Sequence, residues 1–304
     1  MGMFNTGGIG PVILIKRTIS DFMADDMMTY ASALAYRALF SLFPFLLFLI
    51  AMLSFLHLEN FFGWLRGQAA MALPPDAMDQ VNPVIDQLQQ DRSGLLSLSV
   101  LVALWSASFG IQALMNAMNK AYDVEESRPF WKIFILSILY TIGVAVLLLL
   151  AAALMVLGPQ VMELLANLIG MGDLVVTIWS WVRWPVAVLL MMTVVAWLYY
   201  VCPDVKQDFR FITPGSILAV IVWILASLGF GFYVQNFGDY DAVYGSIGAI
   251  IVLLLYFYLS AAVLLFGAEM NAVIEHASTE GKNPGEKDPD EHSAPNEQNR
   301  GVRL

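Results

Sequence analysis

Six long apolar runs, separated by short polar stretches, dominate this chain of 304 residues. They cover residues 34–56, 94–117, 134–157, 181–201, 216–234 and 247–273. Each has about 20 residues or more, enough to cross a hydrocarbon core of about 30 Å as a helix. Lipid cannot satisfy backbone N–H and C=O groups, so runs that cross it must be helical. We therefore predict an all-α, polytopic membrane protein with six transmembrane helices.

The composition agrees with this fold class. Hydrophobic residues make up 59% of the chain and charged residues 13%, whereas soluble domains are about 45–50% apolar and about 25% charged. The six runs leave no room for a second large domain. We predict a cytoplasmic N-terminal segment at 1–33 with an amphipathic helix, a transmembrane domain at 34–273, and a disordered acidic cytoplasmic tail at 274–304.

Motifs for enzymatic chemistry are absent from the sequence. The single cysteine, Cys202, excludes an internal disulfide and a cysteine-based metal cluster. His57, His276 and His292 are scattered, and no metalloprotease, nucleophile-elbow or phosphate-loop motif occurs. There is also no basic patch for nucleic acid. We expect no catalytic residues, no cofactor, no metal and no nucleic-acid partner.

Basic residues are distributed unevenly between the two sides of the membrane. One set of connections carries Lys16, Arg17, Lys120, Arg128, Lys132, Lys206 and Arg210. The other carries Arg66 and Arg92, with Arg183 at the entrance of the fourth run. Cytoplasmic loops are enriched in Lys and Arg. We therefore expect a multi-pass protein of the bacterial inner membrane with both termini in the cytoplasm.

Two segments outside the runs have helical periodicity. Residues 12–30 predict an amphipathic helix on the membrane, with Ile15, Ile19, Phe22, Met23, Met27 and Tyr30 on one face. Residues 57–93 predict two short helices on the outer surface, separated by two prolines. This outer segment is either a cap over the bundle or a lid over an outer vestibule, and the N-terminal helix either docks on the bundle or regulates it.

Ionisable residues inside the runs are few, and each has a high free-energy cost in lipid unless it is ion-paired or hydrated. Arg37 lies about one helical turn inside the first run, and Glu269 about one turn before the end of the sixth. With both termini on one side, the two residues lie at the same depth. An Arg–carboxylate ion pair is therefore expected.

Polar side chains also recur at helical spacing near this depth. Arg37, Ser41 and Pro44 follow one face of the first run, where Pro44 predicts a kink. The second run carries a stripe of Ser108, Gln112, Asn116 and Asn119. The polar groups are either interhelical hydrogen-bonding contacts or the lining of a path for a solute or ion. Both alternatives remain open at this point.

Four stretches of the sequence resemble one family of bacterial membrane proteins. They are residues 30–46 (YASALAYRALFSLFPFL), 104–128 (LWSASFGIQALMNAMNKAYDVEESR), 201–216 (VCPDVKQDFRFITPGS) and 244–273 (YGSIGAIIVLLLYFYLSAAVLLFGAEMNAV). Together they are similar to the YihY / virulence factor BrkB family over about residues 20–275. The last stretch has Tyr256 where the family ordinarily has Trp.

The resemblance implies a six-helix inner-membrane protein without an established biochemical activity. Family members have been called transporters, and some carry the label ribonuclease BN, which looks like a misassignment. This chain supports that view because its sequence lacks a His/Asp metal cluster and a basic RNA surface.

The sequence thus favours an integral inner-membrane protein that moves a small solute, ion or lipid-like molecule. The candidate path residues are Arg37, Ser41, Gln112, Asn116 and Glu269. The alternative is a non-transporting membrane scaffold for an envelope complex, and an embedded enzyme is the least favoured class. The expected partners are the lipid bilayer and an unidentified small solute or ion. The sequence does not indicate an oligomeric state.

Overall fold

A computed structural model describes residues 10–55, 67, 82, 93–169, 172–207, 212–237, 246–277 and 285–288. Every regular element in these ranges is an α-helix. In chain order they are α1 (Pro11–Ala24), α2 (Met27–Phe55), α3 (Ser93–Ala121), α4 (Phe130–Ile169), α5 (Gly172–Val201), α6 (Pro214–Phe237) and α7 (Ser246–Ala277). The all-α prediction is confirmed for the part of the chain that the structure describes.

Five of the predicted apolar runs each lie within one of the helices α3 to α7, and the described part of the first run, residues 34–55, lies within α2. In α3 to α7, five segments are long and apolar enough to cross a membrane. They are Leu101–Ala121, Phe130–Ala151, Thr177–Val201, Pro214–Val234 and Ile250–Ala277. The first predicted run forms most of α2, which has 29 residues. The helices α4 and α5 extend well beyond their predicted runs, through residues 158–169 and 172–180.

The N-terminal amphipathic segment is two helices and not one. α1 ends at Ala24, and α2 begins at Met27, so the predicted helix over residues 12–30 is interrupted. Asp26 adopts a left-handed conformation with φ 53°, which an α-helix cannot continue through. Asp25 and Asp26 close the turn by donating their backbone N–H groups to the carbonyl oxygens of α1.

The predicted apolar face of α1 is divided between two environments. Leu14, Thr18 and Phe22 are buried, and α1 packs against α7. By contrast, Ile15, Ile19 and Met23 are exposed on the adjacent face. Met27 is buried and Tyr30 is partly buried. The docking of this helix on the bundle is therefore observed, and its exposed stripe is compatible with contact to lipid.

The chain forms two compact units. The first contains residues 1–36 and 111–304, and the second contains residues 37–110. In the first unit, α4 packs against α5, and α6 packs against both α5 and α7. Its larger core cluster includes Met27, Met115, Met118, Leu265 and Cys202, each fully buried.

The second unit comprises most of α2, the first part of α3 and the segment between them. Within it, the rings of Trp105 and Phe109 contact each other edge to face, with centroids 5.2 Å apart. Pro44 lies inside α2, as predicted from its position in the first run. The predicted kink at Pro44 stays a prediction. Of the predicted outer segment 57–93, only residues 67, 82 and 93 lie within the described residues.

Two glycines allow α6 and α7 to approach closely. A Cβ atom placed on Gly215 would collide with the carbonyl oxygen of Gly267, and one on Gly267 would collide with the hydroxyl group of Tyr199. That hydroxyl donates a 2.6 Å hydrogen bond to the carbonyl oxygen of Leu264 on α7. The small residues therefore bring three helices into contact near the end of α5, as is common in membrane bundles.

Candidate functional site

Glu269 lies in the apolar helix α7 and is 2% exposed. Its Oε2 atom has no hydrogen-bond partner among the residues that the structure describes. Ala268, Met270 and Ala272, its neighbours on α7, are also buried. Burying an ionised carboxylate without a partner is costly, and polar groups inside proteins are normally hydrogen-bonded. Glu269 is therefore an exception that calls for an explanation.

The charged groups that act electrostatically on Glu269 are mostly acidic. Asp21 and Asp25 belong to α1 and the turn after it, whereas Lys120 and Asp123 belong to the end of α3. Lys120 is the cation of this set, and its ammonium group lies 2.8 Å from Asp25 and 3.4 Å from Asp123. Because Lys120 already has two carboxylate partners, the surroundings of Glu269 carry more negative than positive charge.

The turn at the end of α3 fixes the positions of Lys120 and Asp123. Val124 donates its backbone N–H to the carbonyl of Asn119, and Asp123 donates to that of Lys120. This pair of hydrogen bonds is the Schellman motif, which requires a left-handed residue just after the helix. Asp123 supplies it with φ 53°. The motif turns the chain sharply, so that the residues after α3 pack against the bundle.

Tyr122, in the same turn, is buried next to two acidic residues of α7. Burial and the negative charges of Glu275 and Glu269 raise its pKa above the ordinary value of 10.0. The ring packs edge to face against His276, with centroids 6.2 Å apart. Tyr122 is therefore a neutral phenol that interacts electrostatically with Glu269. Tyr122 was not predicted as a site residue, because it follows the polar end of an apolar run.

The predicted site residue Arg37 lies in the second unit and is partly buried. Its Nη1 atom donates a 2.6 Å hydrogen bond to the carbonyl oxygen of Phe109. Ser41, one turn further along α2, donates its hydroxyl to the carbonyl of Ala38 at 2.9 Å. Glu269 belongs to the other unit, so the Arg37–Glu269 ion pair stays a prediction.

Gln112 forms a hydrogen bond between two helices. Its amide nitrogen lies 3.1 Å from the hydroxyl oxygen of Ser137 and donates to it, which joins α3 to α4. Ser137 is fully buried. Asn116, one turn further along α3, is exposed. The predicted polar stripe of α3 therefore does not face a single environment.

A cluster of ionic and hydrogen-bonded residues lies at the ends of α3 and α5 and in the segments that follow them. The Arg128 guanidinium forms two 2.7 Å hydrogen bonds with the Glu126 carboxylate. Asn119 donates to Glu126 at 2.9 Å and accepts from the backbone N–H of Asp204 at 2.7 Å. Lys287 in the tail donates to Asp204 at 2.7 Å. We call these five residues the polar clamp.

The polar clamp shifts the titration of its members. Burial opposes ionisation of Asp204, but hydrogen bonds from Lys287 and Ser127 lower its pKa from 3.8 to about 2. Burial likewise opposes ionisation of Glu126, and Arg128 lowers the pKa of Glu126 below its ordinary value. Burial raises the pKa of the neighbouring Cys202 thiol to about 12. The clamp carboxylates are therefore charged at neutral pH, whereas the thiol is not.

The polar clamp was not predicted from the sequence, where Arg128 and Lys120 served only to indicate the side of the membrane. The residues lie in three separate segments of the chain, and polar residues between apolar runs ordinarily indicate solvated loops. A usable signal was present, because Asn119, Glu126, Arg128 and Asp204 all fall within the stretches that carry the family resemblance. The tail is described at residues 285–288, where it contacts the clamp. The disorder of the tail stays a prediction.

Asn271 completes the first turn of α6. Its Oδ1 atom accepts the backbone N–H of Gly215 at 3.0 Å, and its Nδ2 atom donates to the Thr213 hydroxyl at 3.0 Å. Thr213 and Ser216 also cap each other's backbone N–H groups with their hydroxyl oxygens. Reciprocal capping of this type satisfies N–H groups at a helix start that have no partner in the helix. Two turns of α7, at Gly267 and Asn271, therefore position the start of α6.

Comparison with known proteins gives one family match over most of the chain. The profile described as Virulence factor BrkB matches residues 18–292. A protein of Bacillus subtilis, YfkH, whose name calls it ribonuclease-like, is 38% identical over 261 residues, covering 86% of this chain and 94% of YfkH.

Two further relatives are longer than this chain. A UPF0761 membrane protein of Chromohalobacter salexigens is 30% identical over 85% of this chain and 62% of its own length. A UPF0761 membrane protein of Xanthomonas campestris is 27% identical over 82% of this chain and 57% of its own length. This chain therefore spans about three fifths of these relatives. No solved structure matches it.

Proposed function

Because this chain belongs to the Virulence factor BrkB family and resembles membrane proteins along most of its length, we propose that it is a transporter. Its substrate is a small solute, ion or lipid-like molecule, and its location is the bacterial inner membrane with both termini in the cytoplasm. The path is lined by polar residues at the cytoplasmic side. They are Arg37, Ser41, Gln112, Asn116 and Glu269.

The proposal rests on the burial of Glu269 and on its missing hydrogen bond within the described part of the chain. It lies in a membrane-spanning helix, is 2% exposed, and has an Oε2 atom without a partner among the described residues. Ionisable residues inside membrane helices are rare and mark solute paths or relays more often than structural contacts. A purely structural carboxylate should have both oxygens hydrogen-bonded. The missing partner of Glu269 is then a cationic group or a proton in the path.

Arg37 has the chemistry to attract an anionic group in this path. A guanidinium has five N–H donors in a fixed plane, and the Phe109 carbonyl accepts from the Nη1 atom. Donors that remain can bind a carboxylate or phosphate with two parallel hydrogen bonds. In this proposal Arg37 binds the anionic part of the substrate, and Glu269 is its counter-ion or a carboxylate that couples proton movement.

The first experiment measures the thermal stability of the purified chain with a panel of inorganic anions, metal cations, small carboxylates and phospholipids. A compound that binds only the folded state stabilises it by about 2.7 kcal/mol at a hundredfold excess over its dissociation constant. The test variant is Glu269→Gln, which keeps the size of the side chain. Glu125→Gln is the matched control, because Glu125 is exposed outside the helices.

A compound whose stabilising effect is lost in Glu269→Gln and kept in Glu125→Gln is then tested for flux in proteoliposomes. Transport by the parent and by Glu125→Gln, with a large loss in Glu269→Gln, is the expected result. Equal flux in the parent, in Glu269→Gln and in empty vesicles would contradict the proposal.

The alternative function, a non-transporting scaffold for an envelope complex, has its own supporting observation. Polar groups in α6 and α7 pair with each other. The Trp223 Nε1 atom donates to the Ser260 hydroxyl oxygen at 3.1 Å, and the Ser227 and Tyr256 hydroxyl oxygens lie 3.1 Å apart. Such contacts fit a bundle held together by hydrogen bonds. Strong destabilisation by Glu269→Gln, with no compound that stabilises the parent, would favour the scaffold and direct work to partner capture.

We also propose that the role is not enzymatic. The UPF0761 relatives are named as membrane proteins, whereas YfkH is named for its likeness to a ribonuclease. Incubation of the purified chain with structured RNA tests this point directly. Cleavage that co-purifies with the protein and is lost in a Glu269→Gln variant would overturn the proposal of a non-enzymatic role.

A further inference from the structure

An apolar groove of about 210 Å³ lies between α4 and α5. Its walls are aliphatic or thioether side chains, among them Leu147, Ala151 and Met155 of α4 and Ala187, Leu190 and Val194 of α5. Leu148 at its rim is 44% exposed. Protein interiors have few voids of this size, because unfilled space forfeits dispersion contacts. An apolar groove on a membrane helix pair is therefore expected to be filled.

The groove has defined ends. The indole of Trp197 packs on Gly143, where an added Cβ would collide with the ring. At the other end the indole of Trp179 packs on Gly158, where an added Cβ would lie 2.5 Å from Cζ2. Between these two contacts α4 advances 15 residues, or roughly 22 Å. The two Trp–Gly contacts therefore bound a space of limited length between the helices.

A cation lies on the same face of α5 as the groove. Arg183 is one turn before Ala187 and three turns before Val194, so the three residues lie on one stripe of the helix. The Nε atom of Arg183 is buried and has no hydrogen-bond partner among the described residues. Its guanidinium carbon lies 5.6 Å from the centre of the Trp184 ring. An arginine in a membrane helix needs an anion or water to be stable.

We propose that this groove is a phospholipid-binding site, in which one acyl chain lies between α4 and α5 and the phosphate binds Arg183. Trp181 and Trp184, on the same turns of α5, are 77% and 60% exposed. Exposed tryptophans of membrane proteins mark the headgroup level, so Arg183 lies at the depth of lipid phosphates. Arginine binds phosphate with two parallel hydrogen bonds. With the orientation proposed above, this is the outer leaflet.

Charge complementarity favours a lipid over a helix from a second copy. An apolar helix would fill the groove and leave Arg183 without an anion, whereas a phospholipid supplies both an apolar chain and a phosphate. The groove wall from Leu147 to Met155 is also short, at roughly 12 Å along α4. That is close to the width of one crossing helix, so a helix from a second copy of the chain is the alternative occupant. The experiment below distinguishes it from a lipid.

The experiment uses the full chain in zwitterionic detergent and phosphatidylglycerol that carries a photoreactive diazirine in one acyl chain. After illumination, mass spectrometry maps the labelled residues. Two unlabelled competitors with the same oleoyl chains are compared: phosphatidylglycerol, and dioleoylglycerol, which lacks the phosphate. The exposed stripe Ile221, Leu225 and Leu228 on α6 reports nonspecific labelling by lipid.

We expect the label to be concentrated on residues 147–155 and 187–194. Unlabelled phosphatidylglycerol should compete at about a tenfold lower concentration than dioleoylglycerol, a difference in binding free energy of about 1.4 kcal/mol. Arg183→Gln should make the two competitors equal, and Lys132→Gln, an exposed cation at the start of α4, should change nothing. Ala187→Phe should reduce labelling of the groove, whereas Leu189→Phe, on an exposed face of α5, should not.

Equal labelling of the α6 stripe and the groove would overturn the proposal, as would equal competition by both lipids in the parent protein. These two results do not depend on whether any variant folds. Crosslinks between two copies of the chain at the groove would assign it to a dimer interface and would likewise overturn the proposal.

Discussion

Arg128 and Glu126 form a two-pronged ion pair in which Nε and Nη2 each lie 2.7 Å from one carboxylate oxygen. The same Nη2 atom donates a 3.0 Å hydrogen bond to the carbonyl oxygen of Cys202. The pair therefore joins the segment after α3 to Cys202, the residue that follows α5. The Arg128 side chain is 9% exposed, so bulk water screens this contact little.

Replacing Arg128 with Gln should destabilise the fold by roughly 3 kcal/mol, because Glu126 and the Cys202 carbonyl would then be left poorly satisfied in a partly buried site. Arg128→Lys should recover only part of the loss, since an ammonium cannot donate to both carboxylate oxygens in one plane. Unfolding in mixed detergent micelles measures the change. Arg17→Gln is the control, because Arg17 and Asp21 form an exposed pair at 3.8 Å. Equal effects of the Arg128 and Arg17 substitutions would refute the role of the clamp.

Stability should fall in acid through Asp204. Its pKa is lowered from 3.8 to about 2 in the folded protein. The stabilisation is therefore complete above pH 3.8 and is lost as the pH falls toward about 2, because the unfolded chain binds the proton first. Asp204→Asn should be less stable than the parent at neutral pH and should lose less stability over this range. Parallel stability curves for the two proteins between neutral pH and about pH 2 would contradict this assignment.

Gly267→Ala should destabilise the α6–α7 contact by about 1–3 kcal/mol, the usual cost of overpacking. The added methyl group would collide with the Tyr199 hydroxyl and the Gly215 backbone. Gly231→Ala is the matched control, because no described atom lies within 4 Å of a Cβ at that position. Thermal unfolding followed by tryptophan fluorescence compares the two. A loss of stability in Gly231→Ala as large as in Gly267→Ala would show that close packing is not the cause.

The left-handed backbone at Asp123 predicts opposite effects of two small substitutions. Asp123→Gly should be neutral or slightly stabilising, since glycine adopts positive φ without a steric penalty. Asp123→Val should cost about 1–2 kcal/mol, because the left-handed conformation is unfavourable for a branched side chain. Both remove the 3.4 Å contact with Lys120, so the difference between them isolates the backbone effect. Identical unfolding midpoints would rule out the Schellman turn as the constraint.

The membrane-spanning helices could be predicted from the sequence because their cause is local. A run of about 20 apolar residues has few alternatives to a helix in lipid, and the described part of each predicted run lies within one observed helix. The burial of Ala31 and Ala35, at 0% and 2% exposure, also follows from a local rule, since small residues four apart allow helices to approach. By contrast, the break at Asp25–Asp26 was missed, because apolar periodicity continued across it.

The candidate site was predictable only in part. The sequence identified Glu269 as an unusual residue because a carboxyl group inside an apolar run is rare. It could not show that Gln112 donates to Ser137 or that Asn119 binds both Glu126 and Asp204. These partners are 25, 7 and 85 residues apart in the chain, and no local pattern specifies them.

By itself, the sequence determined that this chain is a polytopic helical membrane protein, because apolar length and backbone hydrogen bonding leave no other solution in lipid. Only the tertiary structure decided which polar side chains have partners. It placed Asp204 between Lys287, Ser127 and Asn119, and it left one oxygen of Glu269 without a partner among the described residues. The physical reason is that hydrogen bonds and ion pairs act over a few ångströms between segments that are distant in the chain.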